Sequence, residues 1–381
     1  METINAYFLI RNFITGGVEA TIASLAPELK KRGKINPIVV VHREISNSKF
    51  YKTLEASNVN IVNKSLWTKF SGRRPKNFFK RRIWRFLQQI AYFRTWLYCF
   101  HNIKKTDLFI EYNPSPKMQP PPFIKGKKIL WVHSSFKSFS SRLTKFTNYN
   151  YTISLTKVFK DKLSKLYPEH SVHIVPNGLN FHELKTKAAQ PIPEKFLHIK
   201  KQPYFIAVTR LDTDKDNETL LKAFRLYLEK SESPYNLYIA GDGTERKQVE
   251  GLIKNLQLEN NVFLLGNVSN PMPLIKNAQA LILSSRNEGF GLVLIEAMVL
   301  GTLAVSADCP DGPREIMMDG KCGLLFEPGN QEQLADIMEN IASGKIDKAE
   351  YVKAASKNLE RFNIDNTVKV AEETLLKIAA E

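Results

Sequence analysis

The chain has 381 residues, 43% of them hydrophobic, and a formal net charge of +17 at pH 7. It is long enough for two domains, its apolar content is ordinary for a soluble globular protein, and no run approaches the roughly 18 apolar residues of a membrane span. Cys99, Cys309 and Cys322 stand far apart without a CxxC or Cys/His pair, a pattern that excludes a zinc site and fits a reducing cytoplasm. The opening METINAYFLIRNF lacks a basic n-region, a long apolar core and a small-residue cleavage site, so no signal peptide is expected. The charge is uneven: residues 1–200 hold 35 Lys+Arg against 11 Asp+Glu, and 201–381 hold 20 against 27. The first half therefore expects an anionic partner.

In chain order, residues 4–10 read as an apolar strand. Thr15-Gly16-Gly17-Val18-Glu19 then leads into an amphipathic helix, Ala20–Arg32, ending at Gly33, and Ile38–Val41 is the next strand. This is a βαβ unit with a glycine pair where the helix begins. A lone glycine pair is a weak turn signal, strengthened by its place at the end of the first strand.

From Lys64 to Lys105 there are twelve Lys+Arg, no acid and eleven aromatics. At 100° per residue Phe79, Ile83, Phe86, Ile90, Phe93 and Leu97 fall on one narrow stripe, which by itself fits a helix packed on the domain core. Lys80, Arg81 and Arg85 point elsewhere, and Phe78, Trp84, Tyr92 and Trp96 lie off the stripe among the basic residues. Basic charge interleaved with aromatics is the composition of a helix lying on anionic lipid. Lys80, Arg81, Arg82 and Arg85 are the candidate membrane or acceptor contacts. Nucleic acid is the rival for the same pattern.

Asp107–Tyr112 and Lys128–Val132 are strands separated by the proline-rich PSPKMQPPPF. His133 follows the second directly, at the carboxyl end where α/β clefts form. Asn150–Leu155 is a further strand, Lys157 opens a helix to about Leu166, and Val172–Val175 runs into the turn Pro176–Asn180. The polar stretch from His182 to Gln202 reads as a linker.

Tyr204–Thr209 starts the second domain. Arg210 and Lys215 follow at its end, just before the helix Glu218–Leu228, and two cations there suit a diphosphate. Asp212-Thr213-Asp214 in the same loop matches a D-x-D metal pattern. With Arg210 and Lys215 beside it, that match is read as chance and the protein as metal-independent. Asn236–Ala240 runs into Gly241-Asp242-Gly243, and Val262–Leu265 into Gly266-Asn267-Val268; each is a strand followed by a turn signal. Ala278–Leu283 and Thr302–Ser306 are buried strands flanking Ser284–Gly301. That stretch holds Arg286, Asn287 and Glu288, the step Gly289-Phe290-Gly291, and an apolar helix carrying Glu296. An acid among Leu292–Ile295 is out of pattern unless it faces a cleft. Gly323–Phe326, Glu332–Ile341, Lys348–Phe362 and Thr367–Ala380 complete the strand and helices.

EGFGLVLIEAM, with two glutamates eight residues apart, resembles the E-x7-E signature of family 4 glycosyltransferases of the GT-B fold, retaining enzymes that use nucleotide sugars. The Gly16-Gly17 loop, the Trp131–Ser134 strand end, the Pro176–Asn180 turn, the Arg210-Leu211…Lys215 pair and the Gly241 and Gly266 loops are similar to that family too. The resemblance implies an α/β protein of two facing doubly wound Rossmann-like domains: 1–180 with a basic aromatic insert at 64–105, a linker at 181–202, a nucleotide-sugar domain at 203–362, and a helix at 363–381 crossing back. It implies Glu288 and His133 near the donor sugar, and Arg210, Lys215, Gly17, Gly291 and Leu292 at the diphosphate. Glu296 would hold the ribose, with Asn267 and Val268 near the base.

The activity so implied is transfer of a hexosyl or N-acetylhexosaminyl group from a nucleotide diphosphate sugar, UDP-linked by expectation, with retention and without a metal cofactor. No general base is assigned. The acceptor expected is a glycan, lipid-linked or a lipopolysaccharide or capsule precursor, met at an anionic membrane surface on the cytoplasmic side of a bacterial inner membrane. The alternatives are a nucleotide-sugar epimerase on the same fold and a basic nucleic-acid-binding protein with a vestigial cleft.

Overall fold

A computed structural model of the chain describes residues 3–10, 17–42, 49–63, 77–112, 120–140, 146–194, 196, 199, 202–309 and 311–381. Thr15 and Gly16, the aromatics Trp67 and Phe70, and most of the proline-rich loop lie outside the described residues. The chain divides into two compact units, Met1–Gly178 with Ile364–Glu381, and Leu179–Asn363.

The first unit is a seven-stranded, wholly parallel sheet. Its strands are β1 (Ile4–Ile10), β2 (Ile35–Val41), β3 (Asn60–Asn63), β4 (Leu108–Tyr112), β5 (Lys127–Trp131), β6 (Tyr151–Ser154) and β7 (Ser171–Ile174), in the order β3-β2-β1-β4-β5-β6-β7. Continuous apolar runs such as YFLI and IVVV are buried on both faces, as parallel strands between helices must be. The order reverses between β1 and β4, a topological switch point. The short β3 and the helix Lys49–Ala56 before it escape the sequence reading.

The C-terminal helix Ile364–Ala380 belongs to this first unit. Its Glu372, 2% exposed, takes Arg32 at 3.2 Å and Lys34 at 3.7 Å. Gly178 lies against the same helix: a Cβ there would come within 2.6 Å of the Thr367 hydroxyl.

Within the basic aromatic segment, Phe78–Asn102 form one long helix. Its packed face carries Thr95 and Cys99, both fully buried, and the half-buried Trp96, whose ring sits 5.9 Å from His42 and 6.0 Å from Phe109. The periodic stripe lies on the other side. Phe79, Ile83, Phe86, Phe93 and Leu97 are exposed, so this stripe is not the core-facing surface that periodicity alone would suggest. Arg82 is exposed, whereas the side chains of Lys80, Arg81, Arg85, Phe78, Trp84 and Tyr92 lie outside the described residues.

The second unit is a six-stranded parallel sheet of β8 (Tyr204–Val208), β9 (Asn236–Ala240), β10 (Val262–Gly266), β11 (Ala280–Leu283), β12 (Leu303–Ala307) and β13 (Leu324–Phe326). Their order is β10-β9-β8-β11-β12-β13, which puts the switch point between β8 and β11. Leu211, Leu220, Phe224 and Tyr227 belong to its apolar core. Residues 181–188, inside the stretch read as linker, form the helix Phe181–Ala188 within this unit; the Asn180 side chain caps it by accepting the Glu183 N–H at 2.9 Å.

Candidate active site

Ligand sites of open α/β sheets form where neighbouring strands send their following loops to opposite sides. In the second unit those loops are 209–216 after β8 and 284–291 after β11, adjacent in the sheet although some 70 residues apart in sequence. They are stitched together. The Arg286 N–H donates to the Asp214 carbonyl at 3.1 Å, and the Ser284 hydroxyl to the Lys215 carbonyl at 2.9 Å. The Arg286 guanidinium makes a two-pronged contact with Asp216, at 2.8 and 3.2 Å. Asp216 itself is buried and left-handed (φ 47°), and caps the helix Asn217–Lys230 through Thr219.

Within that frame Lys215 Nζ meets Glu288 Oε2 at 2.6 Å, both side chains under a fifth exposed. Without a ligand each neutralises the other. An arriving diphosphate would draw Lys215 to itself and leave the Glu288 carboxylate free to accept hydrogen bonds from hydroxyls. Arg210, by contrast, is 72% exposed and pairs with Asp212.

Gly291 stands where the β11 loop meets the next helix. It has φ 98°, a backbone conformation open to glycine, and stands at the N-cap of the helix Leu292–Val299 with no side chain capping it. The leading N–H groups of that helix, from Leu292 on, suit a negative group. Gly241 and Gly243 let the neighbouring loop come close. Cβ atoms there would sit 1.7 Å from the Thr209 carbonyl and 2.3 Å from that of Leu211. Asn267 is exposed and Val268 half-buried beyond β10, where Gly266 accepts the Gly241 N–H at 2.8 Å.

Glu296 is half-buried on the helix Leu292–Val299. Burial pushes its carboxyl up to about 7, only partly opposed by the Lys187 ammonium on the helix Phe181–Ala188. At neutral pH it is divided between acid and carboxylate, and hydroxyl donors arriving beside it would draw it to the charged form. Asp212 goes the other way. Burial works to raise its pKa, but the Thr244 N–H at 3.3 Å, the Arg210 charge and the Thr244 hydroxyl at 3.1 Å outweigh it and hold it below the ordinary value. This carboxylate ties the β8 loop to the β9 loop.

In the first unit His133 follows β5. It lies between the Tyr112 ring, 4.2 Å away, and the Trp131 ring, stacked at 6.2 Å. Burial drives its pKa down to about 3, opposed in part by the Asn177 side chain. The ring is neutral throughout the physiological range. Gly17 opens the helix Gly17–Arg32, and a Cβ added there would meet nothing within 4 Å.

Residues 188–358 match the family described as Glycosyl transferases group 1. The matched residues lie within the second unit. Among the relatives of the chain, an uncharacterized glycosyltransferase of Methanocaldococcus jannaschii is 30% identical, over 53% of this chain and 56% of the relative. A lipopolysaccharide 1,6-galactosyltransferase of Salmonella typhimurium is 28% identical, over 57% and 58%. The chain thus spans little more than half the length of the curated relatives it matches. Solved structures share the whole fold. A glycosyltransferase from Rickettsia africae has a TM-score of 0.74 at 18% identity, covering 99% of both chains. Anabaena HepE in complex with UDP and glucose has 0.74 at 18%, covering 98% of this chain and 100% of that one. Both units therefore have the α/β fold of GT-B glycosyltransferases.

In this unit the structure gathers Lys215, Glu288, Gly291 and Leu292 around one switch point, with Arg210 on the same β8 loop. Three residues around this point received no role from the sequence. Asp216 and Arg286 hold the loops together. Asn217 is 2% exposed, and among the described residues its amide oxygen and nitrogen have no hydrogen-bond partner. Arg286 stood in the motif already, but its partner is 70 residues away and no local pattern names it.

Proposed function

We propose that the chain is a retaining glycosyltransferase of family 4. It would move a hexosyl or N-acetylhexosaminyl group from a nucleotide diphosphate sugar, UDP-linked, to a glycan acceptor. The observation that carries this reading is the Lys215–Glu288 pair at the β8/β11 switch point, beside a helix start that no side chain caps. Cleaving a glycosyl–phosphate bond separates a cationic sugar from a diphosphate. Lys215, Arg210 and the amides from Gly291 would stabilise the diphosphate as its charge develops. Glu288 would hold the sugar hydroxyls, Glu296 the ribose diol, and the loop at Asn267 and Val268 the base. His133 would act as a neutral hydrogen-bonding ring. The positive charge supplied by Arg210 and Lys215 supports a reaction without a metal cofactor, and the ties of Asp212 to Thr244 and Arg210 support reading Asp212-Thr213-Asp214 as a loop staple.

The acceptor we propose is lipid-linked or a lipopolysaccharide or capsule precursor. The names of relatives point that way: the Salmonella enzyme acts on lipopolysaccharide, and a Campylobacter jejuni relative, 29% identical over 53% of this chain and 52% of its own length, is named for a diphospho-undecaprenol substrate. Among the described residues no helix is long and apolar enough to cross a membrane. We propose a peripheral position at an anionic membrane surface on the cytoplasmic side, reached through the basic segment around Lys80, Arg81, Arg82 and Arg85.

A thermal-shift panel of nucleotides and UDP sugars, with EDTA throughout, tests the donor reading. A ligand at 100 times its Kd should stabilise by about 2.7 kcal/mol. The shift should vanish in Glu296→Ala and Arg210→Ala. A shift that appears only when Mn²⁺ replaces EDTA would overturn metal independence. No shift at all would overturn the donor site and favour nucleic acid on the basic segment.

A further inference from the structure

The helix Phe78–Asn102 presents a surface that neither the transfer chemistry nor the basic cluster explains. Phe79 is 73% exposed, Phe86 and Phe93 66% each, and Ile83, Leu97 and Phe100 are exposed as well. On a helical wheel these six lie within about 100° of one another, opposite Thr95 and Cys99, which face the domain core. From Phe79 to Phe100 the row is about 31 Å long. Phe123, exposed in a different segment, extends it: its ring meets Phe100 edge-on at 5.6 Å. Water-soluble domains leave single apolar side chains exposed, but six exposed along one helix face are an interaction surface.

Its rim is cationic. Arg82 and Arg94 flank the row on the helix, Lys104 and Lys105 follow its end, and all four are exposed. Lys125 lies 5.8 Å over the Phe100 ring. Between residues 64 and 105 there is no acid to offset them. A second copy of this chain would bring the same positive rim against itself. A bilayer with anionic headgroups offers both complements at once: negative charge for the rim and acyl chains for the rings.

We infer that the Phe79–Phe100 row, with Phe123, inserts into the interfacial layer of an anionic membrane and lays this helix flat on it. The inference rests on the peripheral-membrane reading above and changes its physics. The apolar row holds the chain, and the basic residues draw it in and orient it. Binding then has a part that salt does not remove, because at ~0.5 M salt charges are screened within a few ångströms while apolar burial persists.

The test is flotation of the full chain with vesicles of phosphatidylcholine and phosphatidylglycerol at 7:3, at 0.1 and 0.5 M NaCl. The wild type should float at both, more weakly at the higher salt. F86S/F93S should lower the partition coefficient about tenfold or more at both salts, since each lost ring removes a large buried apolar surface. R82Q/R94Q should lose binding chiefly at 0.1 M. Both Phe side chains are solvent-exposed, so melting followed by circular dichroism should match the wild type and exclude misfolding. If the wild type floats with no vesicle, the membrane reading and the row fall together. If F86S/F93S floats like the wild type, only the role of the row falls and an electrostatic contact remains. A wild-type dimer in sedimentation that F86S/F93S dissolves would overturn the inference in favour of a self-interface.

Discussion

Asp216, Asp212 and Glu288 in the second unit each meet a cation, and Asp212 and Asp216 each also accept a backbone N–H. The helix Phe78–Asn102 of the first unit has no acid and turns phenylalanines to solvent. One region spends its polar groups inside, fixing loop against loop. The other turns apolar side chains, with Arg82 and Arg94, to solvent. On the functions proposed above, the difference separates two tasks. A site for a charged small molecule needs loops held to fractions of an ångström before the ligand arrives. A surface for an extended, fluid partner needs area and charge instead, and tolerates imprecision.

If that contrast extends to the two units as wholes, their glycines should respond very differently. Gly241→Ala, with φ 146° and a Cβ 1.7 Å from the Thr209 carbonyl, should cost about 3 kcal/mol or more, read by urea unfolding. Gly17→Ala, with open space around it at a helix start, should stay within about 0.5 kcal/mol. Equal costs would break the comparison.

The two units should also differ in pH dependence. Glu296 has a folded pKa of about 7 against an unfolded value near 4.5, so stability is lost as pH rises through that window. Glu296→Gln should therefore melt higher than the wild type at pH 8, by about 2 kcal/mol, and equally at pH 4.5. His133 has the opposite sign. Its folded pKa of about 3 lies below the ordinary 6.5, so stability is present above pH 6.5 and lost as pH falls below it. Its ring proton resonances should not titrate between pH 8 and 4.5. A midpoint near 6.5 would mean the ring is solvated.

The smallest effect tests whether charge matters structurally in the first unit. Arg32→Ala leaves Glu372 with Lys34 at 3.7 Å and should cost about 1 kcal/mol in a thermal melt, because the carboxylate is buried. No change would mean the C-terminal helix is held by its apolar face alone.

Much of this was written locally in the chain. The apolar runs of β1, β2, β4, β8, β9 and β11 announce themselves because parallel strands are buried on both faces. Gly291 marks its turn because few other residues take φ 98°. The helix Phe181–Ala188 was legible too, in Asn180 followed by Glu183, but Pro191 and Pro193 nearby weighed the segment towards a linker. The short β3 and the helix before it give too brief a period to stand out.

Local pattern alone marks which strands are buried and that Phe79, Phe86 and Phe93 share a helical face. The tertiary structure decided the pairings and the sides. Lys215 meets Glu288, and Arg286 meets Asp216, because the strand order sets β8 directly beside β11 although β9 and β10 lie between them in sequence. The phenylalanine row faces outward because Trp96 and Cys99 pack inward on the sheet. Periodicity fixes the angle between side chains on one helix, and only packing against other elements fixes which angle points to water.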